Sequence, residues 1–175
     1  AMMLRSLMAL SAVNGRVSVF LEPIALYMTK DLYEAGDGLW QFPYPAPDQA
    51  VAIGEPRIYA DTHQDLLIIS YGNGMPMSLR VARQLEVERG IKVRVMDLRW
   101  LQPLNASAIA AHGQACAKIL VVDEGRRSAG VGEGVITALV EGGCGHKPIV
   151  RVCGADTYTP LAGAANLVLP SDASI

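Results

Sequence analysis

Cysteine is scarce here and never closely paired. Cys116, Cys144 and Cys153 are the three present, an odd count with no Cys-x-x-Cys. This excludes a disulfide framework and favours a reducing compartment, so a cytoplasmic location is expected. The three histidines, His63, His112 and His146, are scattered at spacings that suit no metal site. No apolar run reaches the ~18 residues that a membrane span needs. The opening stretch Ala1–Arg5 is basic and apolar, but Arg5, Ser6, Ser11 and Asn14 break it and no clean cleavage site follows, so no signal peptide is expected. Ala1 ahead of Met2 leads to the expectation that the chain begins inside a longer protein. Charge is low as well. Charged residues make up 18% and the formal net charge is -2, which leaves no electrostatic footprint for nucleic acid. Lys and Arg are dispersed apart from Arg126-Arg127, read as a solvated loop.

Hydrophobic residues are abundant, at 51% of 175 positions. That is enough for one well-filled domain and some additional chain. Leu4, Leu7, Met8, Leu10 and Ala12 predict a helix that stops at Asn14-Gly15. Val17–Leu21, β-branched and apolar, predicts a buried strand, and a short helix is expected over Ile24–Met28. Residues 36–57 then change character. Gly36, Gly38, Pro43, Pro45, Pro47, Gly54 and Pro56 punctuate them, so an irregular connector and a domain boundary are expected.

From Asp65 onward strands and helices alternate. Leu66–Tyr71, Val93–Met96, Lys118–Val122 and Ile149–Val152 read as strands. Helices are expected between them, ending at Gly90, capped by Asn105, and running from Val131 to Val140. Asn166–Leu169 suggests a short fifth strand, and Arg57-Ile58-Tyr59 an edge strand. Fully apolar strands separated by helices imply a parallel sheet covered on both faces. The expected fold is α/β: a doubly wound, mostly parallel, Rossmann-like sheet behind a helix-strand remnant of a preceding domain. The expected divisions are 1–35, a linker over 36–60, and 61–175.

Three features invite a chemical reading. Gly130-Val131-Gly132-Glu133-Gly134 opens a helix after a strand, the context of dinucleotide binding. Its third glycine comes one residue early, and Glu133 would repel a pyrophosphate, so a close-packed loop is expected. Gly36-Asp37-Gly38 resembles a magnesium motif, but magnesium wants several oxygen ligands and no Asn-Asn follows, so a turn is expected. The third feature is the set of loops at the carboxyl ends of the strands: Gly72-Asn73-Gly74, Asp97-Leu98-Arg99, Asp123–Arg127 and Gly154-Ala155-Asp156. Ligands bind at this edge of open parallel sheets. These loops hold no nucleophile beside a base and no histidine, so they read as helix caps and ion pairs, or as a docking surface.

Taken in order, several segments resemble one family. Val19-Phe20-Leu21-Glu22-Pro23 with Ala25-Leu26-Tyr27 is similar to the last strand of the pyrimidine-binding domain in beta-type chains of pyruvate and branched-chain 2-oxoacid dehydrogenases. Asp65–Gly72, then Val95-Met96-Asp97-Leu98-Arg99 with Pro103-Leu104, resemble the start of their carboxyl-terminal domain. Val121–Gly125, Gly130-Val131-Gly132 and Arg151-Val152-x-Gly154-x-Asp156 complete the set. The resemblance covers nearly the whole chain. It implies a parent enzyme of three α/β domains that uses thiamine diphosphate and magnesium to decarboxylate a 2-oxoacid and pass the acyl group to a lipoyl carrier.

On this reading the chain comprises the end of the pyrimidine-binding domain, the linker and most of the transketolase-type third domain. The glutamate that activates the aminopyrimidine would precede Met2. No catalytic, cofactor or metal-binding residue is then expected in this chain, which would serve dimerisation and assembly. Its partners would be a second copy, the rest of the decarboxylase and a lipoyl acyltransferase core, with no nucleic acid or membrane. Glu124, Arg126, Arg127, His146 and Lys147 are the candidate docking residues. Where pyruvate dehydrogenase beta chains carry an acidic residue before the strand matching Pro148–Val152, His146-Lys147 stand here, and a basic pair does not attract a basic docking domain. The alternatives are a fragment of a transketolase or 1-deoxyxylulose-5-phosphate synthase relative, a non-enzymatic assembly domain, or a nucleotide-binding Rossmann module.

Overall fold

The structure, a computed structural model, describes residues 1–175. Five strands form one sheet in the order β1-β3-β2-β4-β5. They are β1 (Arg57–Tyr59), β2 (Leu66–Ser70), β3 (Val93–Asp97), β4 (Lys118–Arg126) and β5 (Ile149–Gly154). The last four run parallel, and β1 pairs antiparallel with β3, with Ile58 opposite Met96. The α/β class, the mostly parallel sheet and the edge position of Arg57–Tyr59 match the sequence expectation.

The sheet is covered on both faces because its central strands are mostly apolar, with Leu67–Ile69 and Ile119–Val122 buried without a polar interruption. Leu67 and Ile69 point to one side, into a core with Ile109 of α3 (Ala106–Ala115) and Val135 and Leu139 of α4 (Val131–Leu139). Ile68 points to the other side, onto Met75 and Leu79 of α2 (Gly74–Arg89). Leu32, Trp40 and the terminal Ile175 pack on that second face. Arg80 of α2 holds the tail there with a two-pronged ion pair to Asp172, at 2.5 and 2.8 Å. Asn105 caps α3 as expected, its side-chain oxygen accepting from the Ala108 N–H at 3.0 Å.

The first third of the chain behaves differently. Helix α1 (Met2–Asn14) forms and ends where Gly15 turns left-handed. Arg5 donates to the carbonyls of Pro45, Ala46 and Gln49, and the Ser6 hydroxyl donates to Val51 O, so α1 is tied to the connector. Three elements depart from expectation. Val17–Leu21 is extended but is not a buried strand. Residues 17–22 make no backbone–backbone hydrogen bond, and Val17, Val19 and Leu21 are 96%, 76% and 66% exposed. A strand needs a neighbour, and the sheet of this chain offers none at that point. The helix expected over Ile24–Met28 is a single 3₁₀ turn at Ile24–Leu26, following Pro23. Asn166–Leu169 is not a fifth strand. A 3₁₀ turn covers Ala162–Leu167, and Val168 contributes one carbonyl, accepting from the Ala155 N–H at 2.8 Å.

Leu139 and Val17 give opposite expectations. Leu139→Ala removes a fully buried side chain and should cost ~2–5 kcal/mol in urea unfolding. Val17→Ala should change stability by less than about 0.5 kcal/mol.

Candidate functional site at the carboxyl edge of the sheet

Strand β2 has β3 on one side and β4 on the other, so the chain reverses its winding there. Crevices that hold ligands in open parallel sheets form outside the carboxyl ends of strands at such a point. A cavity of about 920 Å³ lies at that place. Tyr71, Gly72, Asn73, Asp97, Arg99 and Glu124 line it from the sheet, and the extended stretch 16–23 covers it from the other side.

A buried carboxylate organises the floor. Asp123, 1% exposed, ends the apolar part of β4. Its Oδ1 accepts from the Tyr71 hydroxyl at 2.6 Å and from the Gly125 N–H at 2.8 Å. Its Oδ2 accepts from the Gly132 N–H at 2.6 Å, in the first turn of α4. An acid at a helix amino end satisfies free N–H groups and the positive end of the helix dipole. The glycine turn is thereby closed to phosphate. A Cβ on Gly130 would lie 2.7 Å from Asp123 Oδ2 and 2.7 Å from Arg126 O, so glycine is required by close approach of the protein to itself. Glu133 turns back to accept from the Ala129 N–H at 3.2 Å. This turn is the close-packed loop expected from its spacing.

The remaining edge residues are paired locally. The Asn73 amide donates to Glu124 at 2.9 Å, and the Ser70 hydroxyl donates to Val122 O at 2.9 Å, so β2 and β4 are stitched at their ends. Asp97 Oδ1 accepts from the Arg99 N–H at 3.1 Å and steadies Arg99 in the left-handed region, at φ 55°. Burial pushes the Asp97 carboxyl above its ordinary value, although Arg99 and Arg57 pull it down. Asp156 accepts from both the hydroxyl and the N–H of Ser128, and the hydroxyl holds its carboxyl below the usual range. A second cavity, about 410 Å³, lies between Glu124–Arg126 and Gly154–Thr159.

The five docking candidates do not form one surface. Glu124, Arg126 and Arg127 stand at the carboxyl edge, where both arginines are exposed. His146 and Lys147 precede β5, at the opposite edge. His146 is exposed, but Lys147 is occupied: its Nζ donates to the carbonyls of Gly113, Gln114 and Cys116, at 3.0, 2.6 and 2.5 Å. It closes the carboxyl end of α3, where a cation suits the helix dipole. Gly36-Asp37-Gly38 is a self-contained turn. The Asp37 carboxylate accepts from the N–H groups of Leu39, Glu34, Leu32 and Tyr33, and these hold it well below the usual carboxylate range. The partnership of Tyr71 with Asp123 had no sequence signal, because the two are 52 positions apart.

Asp123→Asn keeps the shape but turns an amide N–H₂ toward a donor, and should cost roughly 2–3 kcal/mol in chemical denaturation. Burial first, and then the bond to Asp123, raise the Tyr71 phenol above its ordinary 10.0. A raised value in the folded state means that stability is complete below pH 10.0 and declines as pH rises past it. Unfolding midpoints measured above pH 10.0 should therefore fall less steeply in Tyr71→Phe than in the unsubstituted chain.

Comparison with known proteins agrees with this architecture. The family described as "Transketolase, C-terminal domain" matches residues 56–175. The pyruvate dehydrogenase E1 component subunit beta of Staphylococcus aureus (strain Mu50) is 35% identical over 129 residues, which are 73% of this chain and 39% of that protein. Its counterpart in Staphylococcus epidermidis (strain ATCC 35984) is 34% identical over 133 residues, 75% of this chain and 40% of that protein. The chain thus spans about two-fifths of the length of these relatives. A solved structure described as "Split gene transketolase, inactive beta4 tetramer" shares the fold with a TM-score of 0.56 at 24% identity, over 66% of this chain and 37% of that one. A parallel sheet with one antiparallel edge, matched in sequence from β1 to the last residue, identifies the chain as a member of the transketolase carboxyl-terminal domain family.

Proposed function

We propose that this chain is the carboxyl-terminal region of a thiamine-diphosphate-dependent 2-oxoacid dehydrogenase of beta type, and that it serves assembly rather than chemistry. The observation that carries the reading is the 35% identity over 129 residues to a pyruvate dehydrogenase E1 beta subunit. The parent would decarboxylate a 2-oxoacid oxidatively and transfer the acyl group to a lipoyl carrier. Residues 1–35 would close the pyrimidine-binding domain, 36–60 would link, and 61–175 would form the transketolase-type domain.

The residues present do not fit thiamine diphosphate and magnesium. Asp37 spends its carboxylate on four backbone N–H groups, which leaves no oxygen set for a hard cation. The amino end of α4, the natural cradle for a diphosphate, is filled by Asp123. In the parent, both would be held by other domains.

The extended Val17–Leu21 supports an assembly role. It has the composition of a buried strand, exposed side chains and no backbone partners, so it is poised to complete a sheet supplied by the rest of a decarboxylase. A second copy would complete the dimer. Arg126 and Arg127, both exposed, remain available for docking, whereas Lys147 is already engaged.

Calorimetry of this chain with magnesium and thiamine diphosphate should show no saturable heat. Micromolar binding would overturn the reading. Sedimentation velocity should show self-association as concentration rises, and a chain that stays monomeric at every concentration would defeat the assembly role.

A further inference from the structure

The amino edge of the sheet, opposite the cavity, holds a buried cation whose partner is a histidine. Arg94 lies on β3 with its side chain 6% exposed. Its Nε donates to His63 O at 3.0 Å, and its Nη1 lies 2.9 Å from His112 Nδ1 on α3. A guanidinium can only donate. His112 Nδ1 must therefore present a lone pair, so the ring is neutral and carries its proton on Nε2. Asp61 stands 3.5 Å from Arg94 and 3.6 Å from His112, but its side chain is 70% exposed.

We infer that the Arg94–His112 contact is an acid-operated clasp, closed by neutral His112 and opened when that ring gains a proton. Protonation removes the acceptor, sets an imidazolium against a guanidinium already out of water, and leaves the exposed Asp61 carboxylate as the nearby counter-charge. The segments released are the 60–65 loop and the last turn of α3, because the same side chains hold both. His63 donates from Nδ1 to Val93 O at 3.0 Å, the Cys116 thiol donates to His63 O at 3.7 Å, and Lys147 closes the end of α3.

The ionisable groups around the clasp are Arg94 from β3, Asp61, His63 and Asp65 from the loop before β2, Cys116 beyond α3, and Lys147 from the segment before β5. Two of them are fixed cations. Burial, and then Arg94, push His112 below its ordinary 6.5, against the pull of Asp61. A lowered value in the folded state means that the contribution is complete above pH 6.5 and is lost as pH falls below it.

The test is NMR titration of the full chain with labelled histidine, together with unfolding midpoints for His112→Asn, whose amide oxygen can accept from Arg94 but does not titrate. The proposal expects His112 to be an Nε2–H tautomer that titrates below 6.5. It also expects His112→Asn to lose less stability on acidification than the unsubstituted chain. An Nδ1–H tautomer, a titration at or above 6.5, or equal acid loss in the two proteins would overturn it.

Discussion

The Asp123 carboxylate joins three parts of the chain that are distant in sequence. It ends a run of apolar β4 residues, receives the Tyr71 hydroxyl just beyond β2, and receives the Gly132 N–H in the first turn of α4. A buried carboxylate is tolerable only when its oxygens are occupied by donors, and here three donors occupy them. The arrangement fixes where α4 starts, which in turn fixes the helix face that Val135 and Leu139 present to the sheet. It also explains why the glycine turn does not act as a phosphate loop. The site that a phosphate would use already holds an anion from the same protein.

The two edges of the sheet are built on opposite charges. At the carboxyl edge the buried charge is an acid, and donors from the backbone and from Tyr71 surround it. At the amino edge the buried charge is Arg94, and acceptors surround it: a carbonyl, an imidazole nitrogen and, farther out, Asp61. Lys147 repeats the pattern there by gathering three carbonyls at the end of α3. Ends of helices and strands expose unpaired backbone groups, and each of these charges meets that need. Their first role is therefore structural, and docking has to rest on the side chains left over, such as Arg126 and Arg127.

The first third of the chain contrasts with the rest. Many large apolar side chains between Leu4 and Tyr44 stand exposed, while those of the central strands β2, β3 and β4 are mostly buried. Helix α1 is moored to the connector through Arg5 and Ser6, so this region is placed rather than loose. The family match begins at residue 56, just where the apolar residues turn inward.

Much of this was legible without coordinates. Apolar strand runs with helical spacing between them specify a parallel sheet, because only a sheet covered on both faces buries every side chain of a strand. Gly15, Gly90 and Asn105 mark helix ends through local backbone chemistry, and the early third glycine with Glu133 already argued against a dinucleotide. Val17–Leu21 misled, since local composition shows strand preference but not the presence of a neighbour. The pairing of Tyr71 with Asp123, the contact of Arg94 with His112 and the capture of Lys147 by α3 lie beyond any local signal. Each joins residues 18 to 52 positions apart. Periodicity and composition thus determined the elements and the fold class. Which charges are spent on the fold, and which remain free, was decided only when the strands aligned and brought distant side chains within hydrogen-bonding distance.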